Sequence, residues 1–201
     1  MIVYGASGHG KVIIEILENI LTPHIEIWDD AVKPPVWEYE VKPPLPAPQP
    51  IADEMIISIG VNATRKKVAD RFCERVTFGK AIHSTAFISK RATIGEGTVV
   101  MANVTVNADV KVGRHCILNT SCSIDHDCVL GDYVHISPGA ALSGDVHVGE
   151  GTHIGTGAST IQGVRIGKWC NIGVGAVVVK DIPDYATAVG NPARVIKIKQ
   201  P

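Results

Sequence analysis

Long hydrophobic runs, aromatic residues and excess charge are all scarce in this sequence. No stretch approaches the ~18 consecutive apolar residues that a transmembrane helix needs. Met1 leads straight into "IVYGASGHG", without the basic start and apolar segment of a signal peptide. Aromatic residues make up 5% of the 201 residues and the net charge is −1. We therefore expect a cytoplasmic protein with no affinity for nucleic acid or for acidic membranes.

The five cysteines do not form the pattern of a disulfide framework. Their number is odd, and the chain is too long to be a small protein stapled by disulfides. Cys116, Cys122 and Cys128 are evenly spaced, which by itself admits a metal site. The same spacing also follows from a repeat in the second half of the chain, and we interpret these cysteines as part of that repeat.

A six-residue repeat runs through residues 88–183. In steps of six from Ile88 to Val178, fifteen of sixteen positions are Val, Ile or Leu, and Thr160 is the exception. Neither a helical period of 3.6 nor the alternation of a strand produces this frame. Hexapeptide repeats are typical of a parallel β-helix, in which three hexads form one coil and the aliphatic side chains point inward. Sixteen hexads predict roughly five coils.

Two further positions of each hexad have a predicted role. Four residues after the aliphatic position the side chain is again small or apolar, so we expect Cys116, Cys122, Cys128 and Cys170 to lie in the core. A glycine often follows the aliphatic residue, as at Gly95, and we expect it there because a turn needs it.

The first eighty residues form a different module. "MIVYGASGHGKVIIEILENI" predicts a strand, a glycine turn and a helix, and "HIEIWDD" and "EMIISIG" predict two more strands. "VNATRKKVADRFCERV" predicts a second helix that Asn62 could cap. Alternating strands and helices indicate a small parallel sheet of Rossmann type, which binds ligands at the carboxyl ends of its strands. The glycine turn alone fits either a tight turn or a ligand site, and the aspartates after the second strand favour a nucleoside.

A proline-rich segment interrupts this first module. Residues 31–50 contain seven prolines and have the composition of a linker. Strands are predicted on both sides of the segment, so we interpret it as a rigid excursion within the first domain. We expect a Rossmann-like domain at residues 1–80 and a β-helix domain at residues 81–201.

The motifs of the two halves together resemble one family. "YGASGHG", "WDD" and "ISIGVNATRKK" precede hexapeptide coils that contain "NTSCSIDHDCVLGDYVHISPGA", and "AVGNPARVI" closes the chain. This combination is similar to the sialic-acid O-acetyltransferase-like family of hexapeptide-repeat acyltransferases. Within that family it is most similar to the bacterial UDP-4-amino-4,6-dideoxy-sugar N-acetyltransferases, which serve surface-glycan synthesis. The resemblance covers nearly the whole chain and implies that the β-helix is left-handed.

The resemblance implies a homotrimeric N-acetyltransferase that takes acetyl-CoA as its co-substrate and requires no metal. The acceptor would be the amine of a nucleotide-linked amino-dideoxy sugar, a UDP-4-amino-4,6-dideoxyhexose, and the active site would lie between neighbouring β-helices. His126 would be the general base and Asp127 its orienting carboxylate. The implied substrate-binding residues are Ser7, Gly8, His9, Asp29, Asp30, Gly60 and Asn119. The implied acetyl-CoA-binding residues are His135, Gly144, Thr156 and Val174.

Residue spacing agrees with these roles. His126 and Gly144 are three hexads apart, so we expect them to stack at the same place on successive coils. A base beside a backbone N–H suits acyl transfer, since the N–H can stabilise the oxyanion of the thioester carbonyl. Two aspartates flank His126, and strand alternation would place Asp125 and Asp127 on the same side. The choice of Asp127 therefore rests on the family pattern.

Three alternatives remain open at this stage. An O-acetyltransferase of the sialic-acid type would keep the donor and change the acceptor to a hydroxyl. His135 and His153 are also three hexads apart, so they could share a metal, as in zinc-dependent carbonic anhydrases of hexapeptide type. Such a zinc needs three histidines, and no third one has a matching position. A scaffold that binds nucleotide sugars without turnover would leave His126 and Asp127 without a role.

Overall fold

A computed structural model describes residues 1–47 and 49–199 of the chain. The first part is a four-stranded parallel sheet with strand order β3-β2-β1-β4 and two helices. Its elements are β1 (Ile2–Tyr4), α1 (Gly8–Asn19), β2 (Glu26–Trp28), β3 (Val41–Lys42), β4 (Met55–Ile57) and α2 (Asn62–Phe72). Strands β1 and β4 are buried along their whole length, which explains why their sequences are continuous apolar runs. The Rossmann-like start of the chain is confirmed.

The proline-rich segment contributes a strand to this sheet. Val41 and Lys42 pair in parallel with Ile27 and Trp28, so β3 forms the edge of the sheet. An edge is the position in a sheet that tolerates neighbouring prolines, because half of its backbone groups need no strand partner. The segment is therefore an excursion within the sheet, as predicted. Of its prolines, Pro48 lies outside the described residues.

The second part is a left-handed parallel β-helix built from short strands, as predicted. Its strands are β5 (Ala81–Ile82), β6 (Phe87–Ile88), β7 (Thr93–Ile94), β8 (Val99–Val100), β9 (Thr105–Val106), β10 (Lys111–Val112), β11 (Ile117–Leu118), β12 (Ser123–Ile124), β13 (Val129–Leu130), β14 (His135–Ile136), β15 (Ala141–Leu142), β16 (His147–Val148), β17 (His153–Ile154), β18 (Ser159–Thr160), β19 (Arg165–Ile166), β20 (Asn171–Ile172), β21 (Val177–Val178), β22 (Ala186–Val189) and β23 (Arg194–Ile198).

Every third strand stacks on the same face, and partner residues are three hexads apart, as Leu118 and Ile136 are. The first face holds β5, β8, β11, β14, β17, β20 and β22, and β23 closes it as an antiparallel partner of β22. The second face holds β6, β9, β12, β15, β18 and β21, and the third holds β7, β10, β13, β16 and β19. The faces carry seven, six and five parallel strands, slightly more than the predicted five coils. The reason is that strands before residue 88 and after residue 183 join the first face.

The core of the β-helix follows the six-residue frame. From Val100 to Val178 the aliphatic positions are nearly all buried, and Thr160 is buried in the same frame. Four cysteines fill the small inward positions with 0–2% of their surface exposed, and Cys73 is exposed. The prediction that Cys116, Cys122, Cys128 and Cys170 are core residues is confirmed.

The role predicted for the glycines of the repeat is wrong. Every sixth residue from Gly97 to Gly175 has a positive φ, so the left-handed turn position lies two residues after Gly95 and its equivalents. Gly95 is needed for a different reason, because a Cβ at this position would collide with the backbone of Gly113 on the next coil. The left-handed positions themselves are often Asp, Asn, His or Tyr, and Asp127 is one of them with φ 60°.

The two parts of the chain are packed against each other. Phe78 bridges to Met55 at the edge of the sheet, and three residues later Ala81 begins the first strand of the β-helix. Helix α2 packs on the corner between the third and first faces, where the Asn62 Nδ2 donates to the carbonyl of Gly151 at 2.9 Å. Asn62 was predicted to cap this helix, but Val61 occupies the cap position and the Asn62 amide bonds to the β-helix instead. In the described part of the chain, neither helix is long and apolar enough to cross a membrane.

Candidate active site

His126 lies at the corner between the second and third faces, in the turn that joins β12 to β13. Its Nδ1 is 2.7 Å from Oδ2 of Asp127, whose left-handed backbone turns the carboxylate back toward the ring. Asp125 has another task, since its Oδ1 accepts the backbone N–H of His126 at 2.8 Å and the Asn107 Nδ2 at 2.9 Å. Strand alternation therefore does not extend through this corner, and the two aspartates are used differently. Asp127 orients the imidazole and Asp125 orders the turn.

The electrostatic surroundings of His126 favour its protonated form. The hydrogen bond that His126 donates to Asp127, and then the charge of Asp125, raise the pKa of His126 above its ordinary value. When the imidazole is neutral, Nδ1 donates its proton to Asp127 and Nε2 keeps a free lone pair. The ring is exposed, so that lone pair is available to a substrate. This is the geometry of a general base with an orienting carboxylate.

Gly144 lies one coil further along the same corner, directly against the His126 ring. A Cβ on Gly144 would lie 2.6 Å from Cε1 and 2.8 Å from Nε2 of His126, so any side chain would displace the imidazole. The backbone N–H of Gly144 has no hydrogen-bond acceptor among residues 1–47 and 49–199. A groove lined by Ser143, Asp145 and Gln162 opens above it. A base nitrogen and an unpaired N–H donor therefore face the same groove.

The glycine turn after β1 is closely packed and opens helix α1. Gly10 cannot carry a side chain, because a Cβ there would lie 2.5 Å from the carbonyl oxygen of Gly5. Ser7 and Gly8 are exposed, and Ser7 precedes the first helical residue without a side-chain capping bond. The exposed start of α1 leaves backbone N–H groups available to an anion.

Both aspartates after β2 already have partners within the chain. Asp29 accepts the backbone N–H of Ala6 and that of Ala31, each at 2.9 Å, so it ties the glycine turn to the end of β2. Asp30 accepts the Tyr4 hydroxyl and pairs with Arg71 at 2.9 Å. These contacts lower the pKa of Asp30, with the Tyr4 hydrogen bond as the largest cause. Arg71 was not predictable as a site residue, because nothing in the pattern of α2 indicates which strand its end approaches.

A second polar cluster lies on the first face. Asn119 Nδ2 is 3.2 Å from Nε2 of His135, and the N–H of Thr120 donates to Asn119 Oδ1 at 2.9 Å, which fixes the orientation of the amide. His135 and His153 stack with ring centroids 4.8 Å apart, which confirms their predicted stacking. Burial, then the neighbouring His153, lowers the pKa of His135 to about 3, so its imidazole is neutral at physiological pH. A neutral Nε2 accepts the Asn119 hydrogen bond and leaves the proton on Nδ1.

The N-terminal domain faces this second cluster. Gly60 and His135 line the same pocket, which Asn62 and His153 also border. Nε2 of His9, at the start of α1, is buried and has no hydrogen-bond partner in the described part of the chain. Burial, then the charge of Arg65, lowers the pKa of His9 to about 4. His9 is therefore neutral and retains an unused hydrogen-bonding nitrogen.

The predicted site residues form two groups within one chain. His126, Asp127 and Gly144 share the corner between the second and third faces. The other group lies on the first face or beside it: the N-terminal domain and His135 adjoin that face, while Thr156 and Val174 are exposed on the turns that follow β17 and β20. The structure does not bring the two groups together within one chain.

Among the described residues, no third metal ligand accompanies His135 and His153. Their Nε2 atoms face Asn119 and Ser137, the latter at 2.7 Å. In the described ranges, no group of three or more His, Cys, Asp or Glu residues is arranged to hold a metal ion. The donor set therefore does not fit the zinc site of a hexapeptide carbonic anhydrase.

Comparisons with known proteins agree with both halves of the chain. The family model of the PglD N-terminal domain matches residues 1–72, and the model of the bacterial transferase hexapeptide (six repeats) matches residues 91–126. The chain is 42% identical over 114 residues to the UDP-N-acetylbacillosamine N-acetyltransferase of Bacillus subtilis (strain 168). That match covers 50% of this chain and 50% of the relative, so the chain spans about half the length of the curated relative it matches.

Two solved structures are similar over nearly the whole chain. The acetyltransferase domain of PglB from Neisseria gonorrhoeae FA1090, in complex with acetyl coenzyme A, is 38% identical with a TM-score of 0.92. That similarity covers 97% of this chain and 98% of the other. A mutant of perosamine N-acetyltransferase from Caulobacter crescentus, in complex with CoA and GDP-perosamine, is 33% identical with a TM-score of 0.90, covering 98% and 96% of the two chains.

Proposed function

Because this chain belongs to the hexapeptide-repeat sugar N-acetyltransferases with a PglD-type N-terminal domain, we propose that it transfers an acetyl group from acetyl-CoA to a nucleotide-linked amino sugar. The acceptor is the amine of an amino-dideoxy sugar, a UDP-4-amino-4,6-dideoxyhexose, and the product serves bacterial surface glycans. The observation that carries this proposal is the oriented His126–Asp127 pair against the unpaired N–H of Gly144.

The chemistry follows from these three groups. As the amine nitrogen attacks the carbonyl carbon of the thioester, His126 Nε2 takes the proton that the nitrogen loses. The carbonyl oxygen gains negative charge and accepts the Gly144 N–H. When the C–S bond breaks, the imidazolium returns its proton to the departing thiolate. General-base catalysis contributes typically ~10²–10⁴-fold to such a rate, and one oxyanion donor ~10²–10³-fold.

We assign the remaining site residues to the two substrates. The nucleotide sugar is held by Ser7, Gly8 and His9 at the start of α1, by Asp29 and Asp30 beside the nucleoside, and by Gly60 and Asn119 near the sugar. Acetyl-CoA is held by His135 and Gly144 at the thioester and by Thr156 and Val174 along the pantetheine arm. Supporting this assignment, His9 has an unused buried nitrogen and Asn119 fixes the tautomer of His135. We place the domain division at residues 80 and 81, so that all of the proposed acceptor-binding residues except Asn119 precede the coils.

We assign a homotrimer to the active enzyme, in the cytoplasm. Supporting the oligomer, one chain carries the two groups of site residues on different sides of its β-helix. A closed cyclic arrangement repeats one interface, and there the His126 corner of one copy can meet the first-face cluster of the next.

The acceptor class is tested by measuring CoA release with acetyl-CoA and a panel of UDP- and GDP-linked 4-amino-dideoxy sugars, with sialic acid as the hydroxyl acceptor. We expect turnover on one amino sugar and a product whose mass increases by one acetyl group. An acetyl group that resists mild alkali identifies the product as an amide. Turnover on sialic acid alone, with an alkali-labile ester as product, would replace the proposal with O-acetylation. No turnover on any acceptor would overturn the assignment as an acetyltransferase.

A further inference from the structure

The guanidinium of Arg65 is buried between the two domains without a carboxylate partner. The side chain is 1% exposed, and among the described residues no Asp or Glu lies within ion-pair distance. An unpaired charge at such a site is costly unless hydrogen bonds satisfy every donor. Arg65 meets this condition, because its five N–H groups have five oxygen acceptors. These are the carbonyls of His115 (2.8 Å), Ile59 (2.8 Å), Gly60 (3.3 Å) and Tyr133 (2.9 Å) and Oδ1 of Asn62 (2.8 Å).

The acceptors on the β-helix form a regular ladder. His115, Tyr133 and Gly151 follow one another at intervals of three hexads and occupy left-handed positions of the same corner on successive coils. Their own N–H groups bond within the β-helix, to the coil before. Their carbonyls accept hydrogen bonds from the N-terminal domain: Arg65 takes the first two and Asn62 takes the third at 2.9 Å. The start of α2 is thus anchored to three successive coils.

The same guanidinium holds the loop that precedes α2. Its Nη1 bonds to the carbonyls of Ile59 and Gly60, at the carboxyl end of β4, where a sheet of this type binds its ligand. Gly60 borders the pocket that also contains His135 and His153. The charge of Arg65 adds to burial in lowering the pKa of His9 and His135, so these imidazoles stay neutral beside it. Arg65 therefore bonds both to the loop that precedes α2 and to the corner of the β-helix, and its charge acts on both histidines.

We propose that Arg65 is the positioning residue for the acceptor: it holds the Gly60 loop, and with it the nucleotide sugar, in register with Asn119 and His135 on the first face. This inference rests on the proposed function. A guanidinium suits the task because its planar fork reaches acceptors on two sides at once, whereas an ammonium has three donors and no such fork. Acetyl-CoA binding, in contrast, depends on the exposed turns after β17 and β20, on the His126 corner and on His135, and the hydrogen bonds of Arg65 go to none of these.

The test compares Arg65→Lys, which keeps the charge, with Asn62→Asp, which keeps an acceptor for Arg65 and removes the donor to Gly151. Lys67→Met is the matched control on the same helix, since Lys67 is exposed. We expect Arg65→Lys to raise KM for the nucleotide sugar at least tenfold and to change KM for acetyl-CoA less than twofold. Asn62→Asp should raise KM for the nucleotide sugar about threefold, and Lys67→Met should change neither of the two KM values.

A second readout does not depend on turnover. Backbone amide hydrogen exchange should become at least tenfold faster in residues 58–64 of Arg65→Lys and stay unchanged in the coils of residues 99–130. If the wild type acetylates no amino sugar, the proposed function fails, and the exchange data alone decide whether Arg65 holds the loop. If Arg65→Lys does not fold, the KM values and exchange of Asn62→Asp decide. Unchanged exchange in the loop, or equal losses for both substrates that follow the folded fraction, would overturn the inference.

Discussion

The imidazole of His126 lies directly against Gly144, so that a Cβ on this glycine would approach ring atom Nε2 to 2.8 Å. The two residues belong to successive coils, and the coil length of three hexads puts them at the same corner. Glycine at this position gives space to the base and also exposes a backbone N–H toward the groove. The rigid stacking of the coils thereby holds the His126 imidazole next to the Gly144 N–H, and the sequence repeat determines the distance between them.

Gly144→Ala should impair catalysis much more than folding. The added methyl displaces the His126 ring from the attacking amine, so we expect kcat to fall about a hundredfold, the lower end of what a general base contributes. Ala108→Gly, at the equivalent corner two coils earlier, is the control and should keep its activity. The measurement is steady-state kcat beside thermal melting. A fully active Gly144→Ala would show that the position of the His126 ring at this corner does not matter.

The pH dependence of the reaction should report the His126–Asp127 hydrogen bond. His126 is active when neutral, and its pKa is raised by Asp127, so activity increases as the pH rises through that raised value. Asp127→Asn removes the largest cause of the shift. The acid limb of kcat/KM against pH should therefore move to lower pH, while the maximal rate falls at least tenfold because the tautomer is no longer held. An acid limb that stays in place would assign it to another group.

Mixing two inactive variants should restore activity if neighbouring chains share each site. His126→Ala loses the base, and the double variant Asn119→Ala with His135→Ala loses the first-face cluster. In co-expressed cyclic trimers of random composition, about a quarter of the sites combine both intact groups, so about a quarter of the wild-type rate should return. If the mixture is no more active than its parents, each chain must complete its own site.

Shortening a buried aliphatic side chain of the six-residue frame should destabilise the β-helix. Leu118 is fully buried on the first face, and Leu118→Ala should lower the free energy of unfolding by roughly 2–5 kcal/mol. Val32→Ala is the control, because Val32 is fully exposed, and should change it by less than ~0.5 kcal/mol. Urea unfolding followed by circular dichroism gives both values. If both substitutions changed the free energy of unfolding by the same small amount, packing of Leu118 in the core would not stabilise the β-helix.

The fold was predictable because the β-helix repeats one local constraint. Each aliphatic position from Val100 to Val178 has the same environment, so a single period determines the core, and the cysteines fall into the same frame. The sequence also predicts that His126 and His135 lie on different sides of the β-helix, since half a coil separates them along the chain. Contacts between the halves were not predictable in this way. Arg65 donates to the carbonyls of His115 and Tyr133, far along the chain, and a backbone carbonyl has no signature in the sequence.

Local contacts and backbone geometry explain the remaining differences between the predicted and the observed structure. Strand alternation placed Asp125 and Asp127 together, but the left-handed conformation of Asp127 redirects its carboxylate to the ring, while Asp125 binds the backbone of the turn. Asn62 has the residue type of a helix cap, yet the carbonyl of Gly151 is a nearby alternative acceptor for its amide. In both cases a tertiary or corner contact outcompetes the local preference on which the prediction rested.

The measurement that tests this account most directly is kcat for acetyl transfer to a UDP-4-amino-4,6-dideoxyhexose by the wild type and by His126→Ala, with CoA binding measured in parallel. We predict a fall in kcat of at least about a hundredfold with CoA affinity unchanged, as the loss of a general base requires. A His126→Ala enzyme that keeps more than about a tenth of the wild-type kcat would contradict the central claim that His126 is the base.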